Sequence, residues 1–123
     1  MRNMSFALTE PQILDGTKVV TRRLGWLHLK VGEQLQPVRK CMGLKRGEGV
    51  VRLGPPIIVT ALRREPLRAM LADEVYGWEE VLLEGFALHP WVLGSSHRFV
   101  QFFCNANKCT ADTIVTRIAF AYA

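Results

Sequence analysis

The sequence is 123 residues long, 13.9 kDa, 49% hydrophobic and 22% charged. That is room for one compact core and argues against a second domain, a disordered chain or a need for disulfide stapling. Its net charge of +5 is uneven: residues 1–53 hold ten basic and four acidic side chains and the remainder six and seven, so a polyanionic partner would meet the first half. Unbroken apolar runs such as Pro55–Val59 and Ile118–Tyr122 fall far short of the ~18 residues that span a bilayer.

Glu10 and Pro11 interrupt any apolar signal core near the start, and a cytoplasmic chain without membrane contact is expected. Cys41, Cys104 and Cys109 are odd in number and are expected as free thiols.

Thr9 is placed as an N-cap and Gly16 as a left-handed stop, which predicts a helix over Glu10–Asp15. The β-branched run Lys18–Leu24 predicts a strand ended by Gly25. After a turn at Lys30–Glu33, partial alternation predicts a second strand over Gln34–Cys41, with an edge or bulge at Pro37. Glycine-rich Gly43–Gly49 reads as an exposed hairpin loop with a basic tip, leading to a strand at Val50–Leu53. Ile57–Leu62, after Pro55 and Pro56, is the strongest β run and is expected at the centre of the sheet.

Asp73 caps an expected helix over Glu74–Leu83, closed by Gly85, in which Val75, Trp78, Val81 and Leu82 share helical spacing; Trp78 is assigned to the core. Trp91, in a loop after His89–Pro90, is left open between core and surface. A further helix over His97–Ala106, capped by Ser95 or Ser96, carries Phe99, Phe102 and Phe103 on one face. Thr113–Tyr122 alternates as a closing strand. Five strands with segregated helices predict a single α+β domain over residues 1–123, built on a curled, mostly antiparallel sheet.

Several chemistries are missing: there is no P-loop, no dinucleotide fingerprint, no HExxH and no GxSxG elbow. Cys104, Cys109, His97 and His89 do not follow a known zinc spacing, so no metal and no cofactor are expected. Arg22, Arg23, Lys40, Lys45 and Arg46, with Trp26 among them as a stacking platform, are candidate contacts to a nucleoside or single-stranded RNA.

Leu14-Asp15-Gly16-Thr17-Lys18-Val19-Val20-Thr21-Arg22-Arg23 resembles the opening motif of the ASCH domains, small relatives of the PUA fold. Glu84-Gly85-Phe86, after an acidic helix, is similar to the second ASCH motif, and the aromatic helix followed by Thr116–Phe120 to the third. The resemblance runs through nearly the whole chain in the family's order. It implies a β-barrel-like sheet with flanking short helices and a cleft facing nucleic acid or a nucleoside. Within the family, a bacterial N4-acetylcytidine amidohydrolase uses a lysine, a threonine and a glutamate, which match Lys18, Thr21 and Glu84 here. This sequence departs in Val19, Val20 and the long basic hairpin.

The resemblance therefore implies amide hydrolysis at an N4-acylated cytosine, with a desolvated Lys18 as proton acceptor, Thr21 as hydroxyl nucleophile and Glu84 holding or relaying the proton. A variant has Lys18 or Glu84 activating water and Thr21 orienting the acyl oxygen. A non-enzymatic RNA-binding module and a metal-independent ribonuclease on single-stranded RNA are the alternatives. Residues three apart in a regular strand face opposite ways, so Lys18 and Thr21 can share a cleft only if Lys18 precedes the strand or a bulge intervenes. Glu84 is oddly placed for a structural residue, because a negative charge at a helix C-terminus is unfavourable by some tenths of a kcal/mol.

Overall fold

In the computed structural model, which describes residues 1–123, one sheet is built from β1 (Arg2–Ser5), β2 (Val20–Arg23), β3 (Gln34–Val38), β4 (Ile57–Pro66) and β5 (Ile114–Tyr122). The helices are α1 (Glu10–Leu14), α2 (Ala69–Ala72), α3 (Glu74–Leu83) and α4 (Ser96–Asn107). Strand order is β1-β3-β4-β5-β2, with β1 parallel to β3 and every other pair antiparallel. This is the expected α+β class, with the Ile57 run at the centre. β1 and β2 lie on opposite edges and do not pair, so the sheet is open and the barrel-like closure implied by the resemblance is not formed.

The long β4–β5 ladder holds the sheet together, and its register shifts between Val59 and Ala61. That bulge adds local twist and helps the sheet to curl. Alternation along β5 divides the interior in two. Ile118 and Phe120 enter a core with Met4, Phe6, Leu35 and Ile57 inside the curl, whereas Val115 enters a second core with Leu67, Met70, Val81 and Phe99 beneath the helices. Each side chain of β2 shares its face with its β5 partner. Thr21 lies beside Ile118 on the inner face and Arg22 beside Arg117 on the helix side.

Some elements differ from expectation for identifiable reasons. β1 and α2 are additional; both are short, and β1 is stabilised by its pairing with β3. Val50–Leu53 is not a strand; one bridge, Val38 to Arg52, and the bonds Arg39 N to Val51 O and Leu53 N to Pro37 O are what the hairpin achieves. β3 parts from β4 after Leu35, so Pro37 needs no ladder donor on that side. No helix is long and apolar enough to cross a membrane.

Trp78 is not core: it is 55% exposed, with Val75 beside it on the outer surface. α3 turns Gly77, Glu80 and Val81 inward instead, because Glu80 pairs with two arginines of the sheet and Gly77 lets α2 and α4 pack against the helix. A Cβ at Gly77 would overlap the Met70 carbonyl oxygen and stand 2.8 Å from Ser96 Cβ. Gly77→Ala is therefore expected to destabilise the domain by about 1–3 kcal/mol through overpacking, although alanine is the better helix former. A urea midpoint unchanged or raised in this variant would contradict the close packing of the three helices.

Candidate functional site

The open side of the sheet leaves a cleft of about 510 Å³ between the end of β1, the inner face of β2, the turn after α3 and the aromatic face of α4. Lys18, Thr21, Arg23, Trp26 and Glu84 all line it. The Phe86, Phe99, Phe102 and Phe103 rings form its apolar wall, with Phe86 and Phe99 centroids 5.3 Å apart, edge to face. This wall was legible in the sequence only as a helix face for packing on the sheet. A phenylalanine that lines a cleft carries the same pattern as one in a core.

Lys18 reaches the cleft because it precedes β2, which begins at Val20. Gly16, with φ +79°, stops α1 and turns the chain. The following residues are then tied on both sides: Lys18 N donates to Gln12 O (3.1 Å) and Val19 N to Leu83 O (3.0 Å). The Tyr122 hydroxyl donates to Lys18 O (2.6 Å), and burial holds that hydroxyl up to about 12, so it stays a donor. Gly85, at φ +82°, comes so close that an added Cβ would lie 3.3 Å from Lys18 Cβ. The first and second motifs are thus in van der Waals contact through a position where glycine is needed twice over, for its backbone angle and for its lack of a side chain.

The Lys18 side chain is buried, and its Nζ donates to the Glu84 carbonyl oxygen (2.5 Å) and to Glu84 Oε1 (3.1 Å). Burial lowers the affinity of this amine for a proton below the ordinary lysine value; the Glu84 charge opposes the shift, and the Arg23 and Arg22 charges reinforce it. Glu84 Oε2 accepts from Arg22 Nη1 (3.3 Å), so both carboxylate oxygens are occupied by cations. The placement of Glu84 at the C-terminus of α3 is explained by these two positive partners. Thr21 Oγ accepts from Arg23 Nε (3.1 Å).

Arg22 requires a correction. Expected at the nucleic-acid surface, it is buried against three carboxylates, with Nη2 donating to Glu80 Oε1 (2.5 Å) and Glu65 Oε2 (3.3 Å) in addition to Glu84. Burial alone would lower its proton affinity, but the Glu84 and Glu80 charges raise it above the ordinary arginine value. Arg22 borders the cleft, but its guanidinium is fully buried and engaged by these carboxylates, so it does not present its charge at the surface. Lys40, Lys45 and Arg46 lie outside the cleft on the hairpin, where Lys45 and Arg46 are exposed and Lys40 pairs with Glu48 (3.3 Å). Met42 of the same hairpin touches the cleft. Trp26 adopts a left-handed backbone (φ +54°) and carries the Arg2 guanidinium over its ring at 4.8 Å.

No three His, Cys, Asp or Glu side chains come together as a metal-binding group. His89 stacks against Phe86 and Phe102 at 5.1 and 5.3 Å. Cys104 and Cys109 are free thiols, and burial, with the Cys109 thiol alongside, raises the Cys104 thiol above the ordinary cysteine value.

Solved structures match this architecture over nearly its whole length. An ASCH domain from Lactobacillus crispatus superposes with a TM-score of 0.55 at 15% identity, covering 98% of this chain and 78% of that one. The chain has an ASCH-like fold. A protein of Enterococcus faecalis assigned to DUF984 shares it with a TM-score of 0.53 at 12% identity, covering 99% of this chain and 78% of that one. No family model and no curated protein matches the sequence. At these identities the likeness is one of fold, and the chemistry must be argued from the ASCH-like cleft itself.

Proposed function

We propose that this ASCH-like domain is an amidohydrolase acting on N4-acylated cytidine-type nucleosides, with Lys18, Thr21 and Glu84 as its catalytic group. The observation that carries the reading is the buried Lys18 amine, held by Glu84 in an aromatic cleft and shifted toward its neutral form by that burial. A neutral amine in such a place can accept a proton from a hydroxyl or from water at a lower pH than an exposed lysine can. Both Glu84 oxygens already accept from Lys18 and Arg22, which suits Glu84 to holding the amine in place.

In the reaction, the Thr21 hydroxyl or a water loses its proton to Lys18 as its oxygen bonds to the acyl carbon. The bond from that carbon to the exocyclic nitrogen breaks, and Lys18 returns the proton to the departing amine. When Thr21 is the nucleophile, water hydrolyses the resulting ester in a second step of the same kind. The net change is amide plus water to carboxylic acid plus cytidine. The phenylalanine wall suits a planar base, and Trp26 stands at the rim as a second stacking surface. Chromatography of the protein incubated with acylated cytidines and, separately, with single-stranded RNA tests the reading. Release of cytidine and acid supports it, whereas intact nucleosides with shortened RNA would point to the ribonuclease.

The exposed hairpin favours a second reading, binding of single-stranded RNA. With Lys45 and Arg46 free and Lys40 partly engaged by Glu48, neutralising all three is expected to flatten the salt dependence of RNA affinity by roughly 0.7 per lost phosphate contact, up to about three contacts. An unchanged slope in a filter-binding titration would mean that the hairpin touches no phosphate.

A further inference from the structure

Two consecutive arginines of β2 point to opposite faces of the sheet and meet opposite surroundings. Arg22, on the helix side, is matched by Glu65, Glu80 and Glu84. Arg23, on the cleft side, is matched by no carboxylate. Its Nε donates to Thr21 Oγ (3.1 Å), its Nη2 donates to the Ser5 carbonyl oxygen (2.5 Å), and the Phe6 ring lies 4.9 Å from its guanidinium carbon. Its Nη1 donates to no protein atom, and the side chain lines the cleft.

Glu84 is the one acidic residue lining the cleft, and Lys18 and Arg22 already share it. The cleft therefore holds a cation that the protein leaves without a counter-charge. Neutral acceptors satisfy two of its donors but not its charge, and the half-buried side chain leaves the third nitrogen facing the cleft. Burial accordingly holds the Arg23 guanidinium below the ordinary arginine range, with the more distant Glu84 charge opposing it. A ligand oxyanion would supply the missing charge through a short charge-assisted bond to the free edge of the fork.

We infer that Arg23 is an oxyanion-recognising group in the cleft, so that the preferred ligand is acidic and not a neutral nucleoside. The reaction assigned to this ligand rests on the hydrolase reading; the binding does not. Two sources supply the same chemistry, a nucleoside 5′-phosphate or an acyl chain ending in a carboxylate, and each has a neutral counterpart. Calorimetric titration of the whole chain at fixed ionic strength with cytidine 5′-monophosphate against cytidine, and with N4-succinylcytidine against N4-acetylcytidine, separates them.

At least one acidic probe is expected to bind about tenfold or more tightly than its neutral partner. Arg23→Gln is expected to erase that preference, the affinity for the acidic probe falling to that for its neutral partner. If Arg23→Gln does not fold, Arg23→Lys, which keeps the charge but not the fork, is expected to reduce the preference measurably. Equal affinities for acidic and neutral probes, no binding of any of the four, or a preference that survives unchanged at Arg23 would overturn the inference. Cytidine and its 5′-monophosphate carry no amide to hydrolyse, so failure of the hydrolase reading leaves that comparison standing.

Discussion

Lys18→Arg is expected to lower amide hydrolysis by about two to four orders of magnitude, the usual contribution of a positioned base. Arginine keeps the positive charge beside Glu84 but does not give up its proton at working pH, so it preserves the ion pair and removes the base. The Lys18 side chain is buried, however, and a guanidinium is larger than an ammonium. Lys18→Met therefore serves as the companion variant, close in length and free of charge, with Arg22 still holding Glu84. Both should be inactive while circular dichroism shows the wild-type fold. Thr21→Ala and Glu84→Ala should each lose most activity, and a double variant little more, because groups that act as one unit are not additive. A fully active Lys18→Arg protein would exclude the lysine as base.

Arg22→Met is expected to be the most damaging single substitution for stability, at about 3–5 kcal/mol, because it leaves buried carboxylates facing one another without their shared cation. Glu80 would keep Arg117 and Glu65 would keep Arg63, but Glu84 would retain Lys18 alone. A domain of this size is stable by about 5–15 kcal/mol in all, so the loss is a large share of the total. The urea midpoint measures it, and a shift within the scatter of surface substitutions would show that the cluster does not hold α3 to the sheet.

The elements that could be read from the sequence are those whose signals are local. Asp73 and Ser95 accept from the backbone N–H groups of Tyr76 and Arg98 as N-caps must, and Gly16 and Gly85 have the positive φ that a helix stop requires. The alternation of Thr113–Tyr122 and the apolar run at Ile57 likewise describe strands whose faces are set by burial. What was not legible depends on partners distant in sequence. β1 is four residues long and owes its existence to β3, thirty or so residues away. The inward face of α3 is not legible from local pattern because it carries Glu80, which is inside only because Arg22 and Arg117 are there to meet it.

The same distinction applies to the site. Lys18, Thr21, Arg23, Trp26 and Glu84 line one cleft, and the start of β2 at Val20 removes the objection that Lys18 and Thr21 must face apart. That adjacent arginines would divide between a carboxylate cluster and the cleft could not be read from a run of like charges. It follows from the pleat of β2 together with the position of α3 on one side of the sheet.

The central claim is that the Lys18 amine takes the proton in amide hydrolysis, and the pH dependence of kcat/KM on N4-acetylcytidine tests it most directly. The neutral amine is the active form, so the rate should rise with pH. Since burial lowers its proton affinity, the midpoint of that rise should fall below the ordinary lysine value of 10.5. Glu84→Gln removes a charge that favours the ammonium, so any residual activity should rise at a still lower pH, whereas Lys18→Arg should leave no such limb. A wild type that releases no cytidine at any pH, or a limb that stays in place when Lys18 becomes arginine, would contradict the account.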